Sequence, residues 1–340
     1  MPRLLILYTG GTLGMQASPA GYVPSADFDE RLNTALAAYP AGTLPDYTLH
    51  RLQPLIDSAD LSLGCWNRMV SVLAAAWERY DGFVILHGTD TMAYTASALS
   101  FLLGALDKPV ILTGSQVPLG EPRSDALNNI ILAMQAATHP AAPREVCLAF
   151  HDRLLRGNRA RKCRTQGLDA FDSPNAPWLG EAGIELHVSA HDPLPSGAPE
   201  LAVPDFDAGR VGVLHCHPGL SPRQVALQLD DHQLQGLVLM TYGVGNPPGL
   251  DGQLLDCLQQ AADRGLVIFN VTQCGQGAVQ QATYATGKRL HDAGVISGQD
   301  ITPEAAITKL QVLLARGQSG QALRDALGLP LRGEMRAPTS

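Results

Sequence analysis

Two apolar runs end abruptly in polar, glycine-bearing turns. Leu4-Leu5-Ile6-Leu7 leads into Thr9-Gly10-Gly11-Thr12, and Phe83-Val84-Ile85-Leu86 leads into His87-Gly88-Thr89-Asp90-Thr91. A short apolar run without alternation buries both faces, the pattern of an interior parallel strand. Further strand candidates lie at 47–53, 109–113 and 145–151 besides 3–8 and 83–87. Between them, near 26–39, 62–79, 91–103 and 124–138, apolar residues recur every three or four positions as on a helix. This alternation predicts an α/β domain, a mainly parallel sheet flanked by helices. Open sheets of that kind bind ligands beyond the carboxyl ends of their strands. Both turns therefore fall where a small molecule would sit.

At 340 residues the chain is long for one core, and a second domain is expected. Around 189–209 the composition shifts to Pro, Gly, Ser and Asp, which marks a linker. The expected division is an N-terminal catalytic domain over 1–188, a linker over 189–209 and a smaller C-terminal α/β domain over 210–340. In the latter, strands are expected near 211–216, 236–241 and 266–271, with helices near 221–229, 250–263 and 303–315. The small, polar segment 14–25 follows the first turn directly and holds two prolines and two glycines. It reads as a mobile loop carrying Tyr22, in the position of a lid.

Bulk properties narrow the function class. A net charge of −8 argues against binding a nucleic-acid backbone. No segment approaches the roughly 20 apolar residues of a membrane span. The four-residue apolar run at the N-terminus is too short for a signal peptide. Six scattered cysteines without a Cys-x-x-Cys pair read as free thiols, so a cytoplasmic location is expected. His215 and His217 alternate across Cys216 on one strand face, but no third ligand stands nearby, and a domain-interface role fits them better than a metal.

A threonine hydroxyl attacks a carbonyl only with a base in reach and donors aimed at the developing oxyanion. Gly10, Gly11 and Gly88 let backbone N–H groups turn inward beside Thr12 and Thr89, and Asp90 adds a fixed negative charge. Lys162, in the cationic stretch Arg156–Arg164, is a candidate proton acceptor. Singly, each feature has a plainer explanation: Thr-Gly-Gly-Thr as a turn, Thr-Asp-Thr as a helix N-cap, the cationic stretch as a solvated loop.

Together they match a family. Tyr8-Thr-Gly-Gly-Thr-Leu-Gly14 and Gly82-Phe-Val-Ile-Leu-His-Gly-Thr-Asp-Thr-Met92 resemble the paired signatures of the bacterial L-asparaginases, most closely their cytoplasmic type I branch. The resemblance continues through Thr113–Gln116, Arg156–Arg159, Tyr242–Asn246, Thr272–Cys274 and Tyr284–Gly287. It implies conversion of L-asparagine to L-aspartate and ammonia through a threonine acyl-enzyme, without metal or cofactor. By position it makes Thr12 the nucleophile and Tyr22 its activating partner, with Thr89, Asp90 and Lys162 as the second catalytic group. Substrate contacts fall to Gly11, Asp57, Ser58, Ala59, Thr89, Asp90 and Ser115, the last through a backbone carbonyl that orients the leaving amide. It also implies a homodimer or homotetramer.

The chain departs from the family at two places. Secreted type II relatives have glutamine where this chain has Ala59, so one contact to the substrate α-carboxylate is missing and affinity should be lower. Some type I relatives bind asparagine at a separate activating site through an arginine where Met240 stands here. Methionine cannot grip a carboxylate, and Arg161 occupies another position of that site, so effector control is expected to be absent or altered. Three alternatives remain: a dual asparaginase/glutaminase, the asparaginase-like subunit of a tRNA-dependent amidotransferase, and a non-catalytic amino-acid sensor. The sensor is disfavoured because Thr12, Thr89, Asp90 and Lys162 are all present.

Overall fold

The computed structural model of the chain describes residues 2–19, 21–249, 252–281 and 285–338. Leu250 and Asp251 of the expected 250–263 helix, and Tyr284 of the family segment at 284–287, lie outside the described residues, as does Ala20 within 14–25. The chain divides into two compact units, Met1–Val203 and Pro204–Ser340.

The first unit begins with β1 (Arg3–Tyr8), the hairpin β2 (Met15–Ser18) and β3 (Gly21–Pro24), α1 (Phe28–Ala37), β4 (Asp46–Arg51) and α2 (Leu63–Ala76). It continues with β5 (Gly82–Leu86), α3 (Met92–Leu103), β6 (Val110–Thr113), α4 (Ala126–Thr138), β7 (Val146–Phe150) and β8 (Arg153–Arg156). A short ribbon, β9 (Arg161–Lys162) with β10 (Phe171–Asp172), precedes the edge strands β11 (Gly180–Ala182) and β12 (Leu186–Val188). The eight-stranded sheet has the order β12-β11-β8-β7-β6-β5-β1-β4. From β4 to β7 all pairs are parallel, and β8, β11 and β12 extend the sheet antiparallel.

Full burial of the central strands explains their unbroken apolar runs. In β1, Leu4, Ile6 and Tyr8 face a core shared with α1 and α4, alongside Val84 and Leu86 of β5. The alternate positions face the other side, where Phe83 stacks on Trp77 with ring centroids 4.7 Å apart. Helix α3 is buried almost all round, so it carries no polar stripe.

Two features depart from expectation. Segment 14–25 is a two-stranded hairpin, not an irregular loop, with Ala17 opposite Tyr22 and the Ser18 hydroxyl bonded to Gly21 O at 2.6 Å. Its strands are largely exposed and lack a buried face, so no period-two pattern marks them. The expected 145–151 strand turns back at once into β8, through His151 and Asp152 at φ 45° and 64°, the left-handed pair a tight hairpin turn requires. Within 189–209, Ser196 Oγ and Gly197 N both donate to Leu106 O, and Glu200 N donates to Leu103 O. That stretch is laid against the end of α3.

The second unit holds a parallel sheet, β13 (Val211–His215), β14 (Gly236–Thr241), β15 (Val267–Thr272) and β16 (Ile296–Ser297), in that order. Helices α5 (Pro222–Leu229) and α6 (Gln253–Asp263) cover one face. After α7 (Ala285–Asp292), α8 (Pro303–Ala315) and α9 (Gly320–Gly328) cover the other, where Met240 packs half-buried. Beneath α8, Lys309 Nζ donates to Glu334 at 2.7 Å and to the carbonyls of Leu327 and Leu329, all without solvent contact at either charged side chain. Among the described residues no helix is long and apolar enough to cross a membrane.

Candidate active site

The carboxyl ends of β1, β5 and β6 and the segment after β4 meet through glycines. A Cβ on Gly11 would lie 2.4 Å from Gly88 Cα, and one on Gly88 would lie 2.4 Å from Ser58 Oγ. One on Gly114 would lie 2.4 Å from His87 O, so the third strand end closes on the second in the same way. Gly11 and Gly114 therefore lie against backbone and Gly88 against the Ser58 side chain, where any other residue would force the turns apart. Gly11, at φ 94°, then opens a 3₁₀ turn over Thr12–Gly14. Behind it the fully buried Tyr8 phenol fills the space next to Gly14, and burial pushes its pKa up to about 12.

Lys162 closes the second turn. The β9–β10 ribbon holds it with Lys162 opposite Phe171, whose ring packs on Phe150 of β7 at 5.0 Å. Its Nζ donates to Thr89 Oγ1 and to Asp90 Oδ1, each at 2.8 Å. The Thr89 hydroxyl faces Gln116 Oε1 at 3.4 Å, and Thr91 Oγ1 donates to Ser58 O at 2.9 Å.

Below this turn lies a buried relay. Trp66 Nε1 donates to Thr95 Oγ1, Thr95 bonds His87 Nε2 at 3.0 Å, and His87 Nδ1 meets Gly88 O at 2.7 Å. The carbonyl can only accept, so His87 carries its proton on Nδ1 and takes the Thr95 proton on Nε2. Burial drives the His87 pKa down to about 4. A neutral ring of fixed tautomer thus anchors the carbonyl next to Thr89.

Family models match both halves of the chain: "Asparaginase, N-terminal" over residues 3–194 and "Glutaminase/Asparaginase C-terminal domain" over residues 210–327. The chain belongs to the asparaginase family. It is 45% identical to L-asparaginase 1 of Escherichia coli (strain K12), covering 98% of this chain and 97% of that protein. Its fold matches L-asparaginase I from Vibrio cholerae O1 biovar eltor str. N16961 at a TM-score of 0.89 and 41% identity, over 98% of this chain and 99% of that one. It matches the thermostable L-asparaginase from Thermococcus kodakarensis at 0.88 and 32% identity, over 99% of this chain and all of that one.

Against this asparaginase frame, the residues expected from sequence divide into two sets. Thr89, Asp90 and Lys162 form one hydrogen-bonded group, and Gly11 and Ser58 close on Gly88 beside it. Asp57 Oδ1 accepts from Ala59 N at 3.0 Å, capping its own turn and fixing that carboxylate. Ser115 is fully buried and turns its hydroxyl onto Val117 O at 2.7 Å. Tyr22, 53% exposed on β3, makes no hydrogen bond to Thr12 among the described residues. Sequence reasoning did not find Tyr8, His87 or Gln116. A buried histidine immediately before the Gly-Thr-Asp turn was the signal available for one of them.

Proposed function

We propose that this chain hydrolyses the side-chain amide of L-asparagine to L-aspartate and ammonia. The observation that carries the reading is Lys162 Nζ within 2.8 Å of both Thr89 Oγ1 and Asp90 Oδ1, on a turn packed directly against the one that leads into Thr12.

In this mechanism Thr12 Oγ attacks the amide carbon while Tyr22, brought over by the β2–β3 hairpin, takes its proton. The carbonyl π bond opens to an oxyanion, which inward-facing backbone N–H groups of the glycine turns stabilise. Collapse breaks the C–N bond, the nitrogen takes up through Tyr22 the proton that Thr12 gave up, and ammonia leaves while an aspartyl–Thr12 ester remains. Water then adds to the ester carbon, giving up a proton to the Asp90 carboxylate of the Thr89–Lys162–Asp90 group, and that proton passes on to Thr12 Oγ as the ester opens. Breaking the ester C–O bond returns the Thr12 hydroxyl and frees aspartate. Asp57, Ser58 and Asp90 grip the α-amine and α-carboxylate, and the Ser115 carbonyl orients the leaving amide. Ala59 adds no side-chain contact, so the grip on the carboxylate is thinner than with a glutamine there. The same reading has the chain working in the cytoplasm as a homodimer or homotetramer.

The test compares ammonia release from L-asparagine, L-glutamine and D-asparagine by the wild type and Thr12→Ala. The expected result is release from L-asparagine that Thr12→Ala abolishes. No release from any of the three by the wild type would defeat the enzyme reading. Near-normal turnover by Thr12→Ala would remove Thr12 as nucleophile.

A further inference from the structure

We propose that Gln116 is a positioning residue for the second catalytic group: its amide oxygen receives the hydroxyl proton of Thr89 and so turns the Thr89 oxygen toward Lys162. This rests on the amidohydrolase reading, in which the Thr89–Lys162–Asp90 group handles the proton of the attacking water.

The argument begins with what each group can donate. A lysine ammonium has donors only, so when Lys162 donates to Thr89 Oγ1 the threonine's own proton must point elsewhere. Gln116 Oε1, at 3.4 Å, is the acceptor it faces. That contact is longer than the 2.8 Å bond from Lys162, so the hydroxyl is held firmly on one side and lightly on the other. The orientation of the Gln116 amide is not arbitrary. Its Nε2 donates to the carbonyls of Thr165 and Gly167, each at 3.1 Å. Carbonyls only accept, so the nitrogen must face them and the oxygen must face Thr89.

The backbone of Gln116 is fixed just as tightly. Its N–H lies 3.1 and 3.0 Å from the two carboxylate oxygens of Asp125, which also accepts from Val117 N at 3.0 Å. Asn129 Nδ2 then bonds both Asp125 and Gly114 O, which ties the loop to the first turns of α4. Gln116 therefore joins three elements: the Thr89 turn, the start of α4, and residues 165–167, three to five positions after Lys162. A single side chain thus meets the Thr89 hydroxyl on one side and the loop after Lys162 on the other.

Gln116→Met removes the acceptor and both donors at nearly constant volume, and Gln116→Glu keeps an oxygen for Thr89 but loses the donors. Steady-state kinetics on asparagine and crystal structures of both variants make the test. For Gln116→Met, kcat is expected to fall about 10- to 100-fold with KM changed by no more than about threefold. Its structure is expected to show Thr89 Oγ1 swung away from Lys162. Gln116→Glu is expected to recover most of kcat and to keep Thr89 in place. Equal losses in both variants, with residues 165–167 displaced and Thr89 unmoved, would reduce Gln116 to a loop tether and overturn the proposal. So would a Gln116→Met enzyme with wild-type kcat and an intact Thr89–Lys162 contact. If the wild type itself releases no ammonia, the amidohydrolase reading fails, and the position of Thr89 in the two variant structures still decides for or against Gln116.

Discussion

Acidification should weaken the first unit through His87. The ring is fully buried, with Nδ1–H committed to Gly88 O and Nε2 to the Thr95 hydroxyl. Protonating Nε2 would set an N–H against a hydroxyl that already receives Trp66 Nε1, so the Thr95 proton would lose its acceptor. Burial accordingly lowers the pKa from 6.5 to about 4. In the unfolded chain the ring takes up its proton near 6.5, so between about pH 6.5 and 4 the unfolded state binds more protons. Stability contributed by this site is therefore intact above the unfolded pKa and declines as pH falls toward the folded one. Applying the two values at about pH 4.5 gives a loss of roughly 2.5 kcal/mol relative to neutral pH. Denaturant unfolding of the wild type and His87→Gln at about pH 7.5 and 4.5 isolates the effect. Only the pH dependence of the difference between the two proteins is read, so carboxylates elsewhere and the second unit cancel. The difference should narrow by roughly 2.5 kcal/mol on going to acid. A difference flat to within about 0.5 kcal/mol, or a His87 imidazole resonance titrating near 6.5 in the folded protein, would refute the reasoning.

Two further outcomes follow from packing and charge. Gly88→Ala places a methyl 2.4 Å from Ser58 Oγ and 2.6 Å from Ser58 Cβ, so Ser58 and the Thr89 turn must separate. kcat/KM for asparagine should drop by about 100-fold, measured as ammonia release. Lys309→Met strips Glu334 of its buried cation and, among the described residues, leaves it the N–H groups of Leu331 and Arg332. The single variant should lose about 3–5 kcal/mol in chemical denaturation, and adding Glu334→Leu should return much of that loss.

The parallel core of the first unit was legible because both its faces are buried. β1 has the bounds expected for it, 3–8, and the strand expected at 83–87 is displaced by one residue from Gly82–Leu86. The antiparallel edge was not legible. Arg153-Leu-Leu-Arg156 is short and charged at both ends, and its pairing with β7 depends on two left-handed residues that are not glycine. Helix α9 starts and stops at glycine, which hides it from any propensity argument.

The candidate site divides in the same way. Thr12, Thr89 and Asp90 sit at strand ends, where sequence position carries meaning. Lys162 lies 73 residues from Thr89, and no spacing rule brings it there; the family resemblance pointed to it and the β9–β10 ribbon delivers it. The His87 relay and the Gln116 bridge consist of side-chain geometry between separate elements. Residue type alone gives no sign of the Gln116 bridge, and for the relay it offers only a histidine placed before the Gly-Thr-Asp turn.

The central claim is that Thr12 forms a covalent ester with the acyl group of the substrate. Acid-quenching the enzyme during turnover of L-asparagine and mapping its peptides by mass spectrometry tests this directly. The mechanism predicts an aspartyl adduct on the peptide carrying Thr12, enriched in Lys162→Met because water attack is slowed while the first half-reaction proceeds. An adduct on Thr89, or none on either threonine while ammonia is still released, would contradict it.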